Sequence, residues 1–265
     1  MRLIAALAIL LAPQAALAGT RATYVDDQQK RIVIEVADNG DARITPEGSE
    51  QYGILRGGEL YAIGRDEGKV EVARIVDVAA ALDQVMPPVF KQIFSAAGKA
   101  ARPSKMRIEP KGSRRVGGRG GFAYAVYGMD SEKPNEPAEI VVSKDPALRP
   151  VGRAMEEFMI GSTLMMASFI GPAAADMAAD MRAVFALGAP LDMAGKMKLV
   201  ELGSADIPHE ATELPAKPRT VDELVAGMKK DLAGQAAEAE PAESVSPEKG
   251  QATDGMEEPE PTSDP

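Results

Sequence analysis

Methionine is the residue type in this chain whose spacing comes nearest to a site. Met155 and Met159, Met177 and Met181, and Met193 and Met197 each stand four residues apart, and residues at i and i+4 share a helix face. Thioethers grouped in that way can hold Cu(I), which prefers soft ligands. They can also line a cavity for an apolar ligand, because a flexible unbranched side chain repacks around varied shapes, or they can fill an ordinary core. With no cysteine and one histidine in 265 residues, a copper site would depend on methionine alone. The single histidine, His209, lies in Pro208-His209-Glu210 without a Ser or Cys nucleophile spaced to suggest an elbow, so a surface position is expected in place of imidazole catalysis.

Two further groupings can be weighed in the same way. Glu156 and Glu157 are adjacent on an expected helix and so face different directions, which argues against a shared acid–base role. Arg114-Arg115-Val116-Gly117-Gly118-Arg119-Gly120-Gly121 sets three arginines beside glycines that let backbone N–H groups approach an anion. A phosphate loop, however, would open a helix, and here the alternating strand Phe122 to Tyr127 follows. The run therefore reads as a strand entry or bulge, with an anion site as the other possibility.

The elements that must position these residues follow from periodicity. Lys30 to Ala37 alternates like a half-buried strand, and Asp38-Asn39-Gly40-Asp41 predicts a tight type I′ hairpin turn. Gln51 to Arg56, Glu59 to Ile63 and Lys69 to Val76 extend an antiparallel meander. Val78 to Ala97 switches to helical spacing, with Val78, Leu82, Val85 and Met86 in one stripe and Val89, Phe90, Ile93 and Phe94 continuing it past Pro87-Pro88, which should divide it. Strands are expected over Lys105 to Glu109, Ser113 to Met129, Glu139 to Ser143, Met197 to Leu202 and Asp206-Ile207. A helix entering from Pro146 or Pro150 runs into Phe158 to Ala175, an uncharged stretch of eighteen residues. Gly171-Pro172 interrupts it, which favours a buried core helix over a membrane span. A second helix is expected over Pro172 to Leu187, and a third over Thr220 to Leu232, opened by a Thr220/Glu223 capping box.

Composition sets the surroundings. Arg2, the apolar Leu3 to Leu11 and Ala16-Leu17-Ala18 read as a cleavable export signal over residues 1–18. No cysteine follows to carry a lipid, and an exported chain without disulfides must rely on its core. About 200 residues remain for one large domain. The net charge of −10 sits mostly in residues 235–265, where nine acidic residues face Lys249 alone. The body is close to neutral and implies no nucleic-acid partner. The tail, low in apolar content, is expected to be disordered, either as a solubilising segment or as a partner-binding one.

The order of elements resembles that of bacterial periplasmic proteins carrying an uncharacterised domain whose fold is similar to the lipoprotein-localisation carriers. The matching features are the signal segment, the Ile54-Leu55-Arg56-Gly57-Gly58-Glu59-Leu60-Tyr61 hairpin, Gly120 to Tyr127, Glu139 to Pro146 with the long helix after it, Gly188-Ala189-Pro190, and Ile207 to Pro215. Thr212 stands where such domains tend to have Phe. The resemblance implies an α+β fold: a curved antiparallel sheet forming an unclosed half-barrel, with helices on its concave face and an apolar cavity that takes acyl chains.

The expectation is a half-barrel domain over 19–215, a short amphipathic helix over 216–234 and an acidic tail. It is an exported periplasmic protein without catalysis, cofactor or bound metal, holding a lipid or other apolar ligand. The expected lining residues are Met155, Phe158, Met159, Met165, Met166, Phe169, Met177 and Met181. An envelope assembly module acting on a protein partner through the C-terminal helix and tail is the alternative, and Met-only Cu(I) binding is a third.

Overall fold

The computed structural model describes residues 19–66, 68–93, 106–129, 133–171 and 173–238. The expected signal segment, Phe94 to Ala97 of the expected helix and most of the acidic tail lie outside them. Chain order is β1 (Gly19–Asp26), β2 (Arg31–Val36), β3 (Ala42–Pro46), β4 (Tyr52–Arg56), β5 (Glu59–Asp66), β6 (Lys69–Arg74), α1 (Ile75–Val85), β7 (Arg107–Val116), β8 (Arg119–Tyr127), β9 (Ala138–Ser143), α2 (Arg149–Met165), α3 (Ala167–Ile170), α4 (Ala173–Phe185), β10 (Ala189–Met193), β11 (Met197–Ala205) and α5 (Val221–Glu238). All eleven strands join one curved, unclosed antiparallel sheet in the order β6-β5-β4-β3-β2-β1-β11-β10-β9-β8-β7. Two meanders are thus sewn together where the first strand meets the last, with Gly19 to Asp26 paired along Ala205 to Met197. A first compact unit runs through Lys229 and a second begins at Lys230.

The face crossed by α2 carries the main core. Ala22 and Tyr24 of β1, Ile34 and Val36 of β2 and Ile44 of β3 pack with Leu191, Leu199 and the helical residues Val151, Ala154 and Met155. Gly152 lets α2 touch β10, since a Cβ there would meet the Ala189 Cβ at 2.8 Å. The Tyr24 hydroxyl donates to the Pro190 carbonyl at 2.9 Å, and burial pushes its phenol pKa well up. That bond satisfies a polar group which would otherwise be costly in so dry a place. On the other face Ile54, Ile63 and Val72 are covered by Leu214 and Ala216.

Several expectations change. The uncharged Phe158 to Ala175 stretch is not the core helix: α2 ends at Met165, α3 is a single turn, and Gly171 (φ 61°) breaks the path before α4. Within that stretch Ile160, Ala173 and Ala174 are buried, whereas Leu164 and Met166 are 37% and 41% exposed. The stripe that packs on the sheet starts two turns earlier, at Val151, because there the sheet offers large side chains to pack against. Val89, Phe90 and Ile93 are also exposed and do not extend the core.

The Asn39-Gly40 turn is not type I′. Gly40 has positive φ (86°) and Asn39 does not, because the Asn39 side chain accepts from the Asp41 N–H at 2.9 Å. Gly40 N–H then donates to Ala37 and Ala37 N–H to Asp41 at 2.9 and 2.8 Å, giving a three-residue loop closed by a left-handed residue. Type I′ geometry occurs instead at Gly117-Gly118 (φ 56° and 80°), which divides the expected Ser113 to Met129 strand into β7 and β8.

β10 was not expected, and Asp206-Ile207 is not a strand. Pro190 and Asp192 spoil the apolar pattern of β10, and the register shifts between those two residues. α5 continues past Leu232 to Glu238, as the helix-favouring Gln, Ala and Glu residues there allow. Its capping box forms as expected, with Thr220 N–H on Glu223 at 2.7 Å and Glu223 N–H on the Thr220 hydroxyl at 3.3 Å.

The two sheet edges differ. β7 is largely exposed, and Pro110 precedes a register shift. β6 receives the Arg219 N–H on its Val72 carbonyl at 2.9 Å, while the Arg219 guanidinium pairs with Glu71 at 2.7 Å.

Candidate functional site

The same face that is filled over β1 to β3 is hollow over β4 to β6. Cross-strand partners share a face, and here several are small: Gly53 lies opposite Ala62, Ala62 opposite Ala73, and Gly64 opposite Glu71, whose side chain Arg219 draws to the sheet edge. The helix nevertheless touches down at the start of this region. A Cβ on Gly161 would come within 2.7 Å of Leu60, and one on Gly53 within 3.2 Å of the Phe158 ring. Beyond those contacts the floor drops away from the helix. The result is a trough of about 470 Å³ walled by Ile44, Leu60, Ile75, Phe158, Ser162 and Met165, with Ser49, Gln51, Arg65 and Glu71 also on its lining. That volume lies within the range of about 300–1,000 Å³ usual for small-molecule sites.

The polar groups of the α2 wall are satisfied by the helix itself. The Ser162 hydroxyl donates to the Phe158 carbonyl at 2.8 Å and the Thr163 hydroxyl to Met159 at 2.9 Å, back-bonding that tends to bend a helix. Glu71 is held by Arg219. On the neighbouring rim the Tyr61 hydroxyl, followed by Arg74, holds Glu59 below the usual carboxylate range, and the Asp77 and Glu59 carboxylates keep Arg74 firmly protonated. Glu156, between α2 and α4, is pushed up, chiefly by burial and then by Glu157, against the pull of Arg182 and Arg153.

Of the expected lining residues, Phe158 and Met165 meet in the trough. Met155 is buried in the filled core and Met159 packs on that core's margin. Met166 is turned outward, and Phe169 is half-buried on α3. Met177 and Met181 are half-buried on α4, where the Met181 sulfur lies 3.6 Å from the Thr163 hydroxyl oxygen. These thioethers stand in different surroundings, and no grouping of His, Asp or Glu suited to a metal occurs among the described residues.

The sheet-side half of the trough was missed. Its signal lay in β5, where the inward positions Leu60, Ala62 and Gly64 shrink along the strand. His209 is exposed beside Glu213, Nδ1 to Oε1 at 3.0 Å. The Arg-Gly run forms the β7–β8 hairpin. Arg114 pairs with Glu139, and Arg115, Phe122 and Lys144 border a separate surface hollow of about 540 Å³.

No described helix is long and apolar enough to cross a membrane. Comparison with family models, with curated proteins and with solved structures finds no match.

Proposed function

We propose that this chain is an exported periplasmic protein, without catalytic activity, that shelters an acyl chain or similar apolar group in the trough between β4–β6 and α2. In this reading the sheet is a half-barrel and the helices occupy its concave side. The observation that carries it is the row of Gly53, Ala62, Gly64 and Ala73, which leaves an apolar hollow under Phe158 and Met165 while the rest of that face is packed. An empty apolar hollow forfeits dispersion contacts on its lining, and an apolar guest restores them. The export segment of residues 1–18 supplies the compartment. The test is native mass spectrometry of protein purified from its own host, together with binding of an apolar dye. Co-purified lipid and dye displaced by added fatty acid are the expected results; absence of both lipid and dye binding rejects the proposal.

A further inference from the structure

Three side chains separate the trough from a second cavity. Leu60, Ile75 and Met165 line both, the second being a cleft of about 290 Å³ between α1 and α2, walled further by Val76, Ala79 and Leu164. Two of the three are fixed. Leu60 is buried against Gly161, and Ile75 is buried at the start of α1. Met165 is different: it is the last residue of α2, half-buried, and followed by Met166 with non-helical backbone angles (φ −79°, ψ 1°). An unbranched thioether at a helix end can change rotamer without disturbing a packed neighbour.

Resting on the acyl-chain reading above, we propose that Met165 is a chain-length gate, a specificity-determining residue. It ends the trough for short chains and swings aside so that the distal methylenes of longer ones enter the α1–α2 cleft. Ile75, Val76, Ala79, Ile160 and Leu164 continue the apolar surface into that cleft, and the charged Glu59, Arg74, Glu157 and Arg182 rim it, so a chain passing Met165 finds apolar cover on one side. Its far side opens beside Val76 and Leu164, both partly exposed.

The experiment titrates purified protein with the saturated fatty acids from decanoate to stearate, below micelle formation, by displacement of N-phenylnaphthylamine. Affinity is expected to rise about fourfold for each methylene removed from water and to level off once the chain outgrows its cover. Met165→Ala moves the levelling-off point to longer chains, by about fourfold or more in affinity at stearate. Met165→Phe moves it to shorter chains, Met165→Leu leaves it in place, and Ala79→Leu, which fills the cleft without touching the gate, also shortens it. Far-UV circular dichroism confirms that each variant is folded. A parent protein with a clear levelling-off point that neither Met165→Phe nor Ala79→Leu shifts overturns the gate and leaves acyl binding standing. A parent that binds neither dye nor fatty acid overturns acyl binding, and the gate with it.

Discussion

Along the face of the sheet crossed by α2, Tyr24, Ile34 and Ile44 supply bulk over β1 to β3, whereas over β4 to β6, past Leu55 and Leu60, the inward positions include Gly53, Ala62, Gly64 and Ala73. Tyr24, Ile34 and Ile44 fill the first region against Val151, Ala154 and Met155, and all six are within 3% of full burial. In the second, Ala62 is exposed although it points toward the same helix. One helix serves both regions, so the difference lies in the sheet. Where the strands offer bulk, the helix seals against them; where they offer glycine and alanine, it bridges a gap anchored by Phe158 on Gly53 and Gly161 on Leu60. Close packing is therefore concentrated at one end and room at the other.

The largest effect should come from removing bulk at the filled end. Ile34→Ala should cost about 2–5 kcal/mol, measured by urea unfolding, whereas Phe158→Ala, already bordering a void, should cost less than half as much. Equal losses would break the contrast. Adding bulk gives a sharper comparison. Ala22→Leu forces atoms into a position with no exposure and should lose about 1–3 kcal/mol. Ala62→Leu should stay within about 0.5 kcal/mol of the parent and should abolish apolar-dye binding, because its side chain occupies the trough. Dye binding undiminished in Ala62→Leu would remove the trough as the ligand site.

The smallest effect concerns the seam between α2 and α4. The Glu156 carboxyl is raised in the folded protein, so the native state holds its proton more tightly than the unfolded chain does. Its contribution to stability therefore falls as pH rises from the ordinary carboxylate value through the raised one. Glu156→Gln should raise the urea midpoint slightly at neutral pH and leave it unchanged at pH values below the ordinary carboxylate range. A pH-independent difference would mean that packing, not charge, governs this seam.

Alternation reports strands that are half buried, so β2 at the filled end was legible residue by residue, as were the β4–β5 hairpin at the hollow end and the capping box of α5. β10 was not, because Pro190 and Asp192 satisfy a register shift and a turn that only the neighbouring strands define. The trough was half legible. Phe158 and Met165 stood out as apolar residues, but a hollow is made by what is missing opposite them, and Gly53, Ala62, Gly64 and Ala73 are unremarkable until strand pairing sets them side by side. Eighteen uncharged residues suggested a deep helix; composition alone cannot register that Met166 and Gly171 turn the chain and leave Leu164 facing outward.

An unclosed sheet ends in two rows of peptide groups, each a template for pairing with another chain. Here both are spoilt, by unlike means. Pro110 withholds a donor, the register shifts beside it, and β7 exposes the charged Lys111, Arg114 and Arg115. At β6 the chain's own Arg219 occupies the Val72 carbonyl and ties down Glu71. Edge-to-edge growth is thereby disfavoured at both margins, so the sheet avoids it without closing into a barrel.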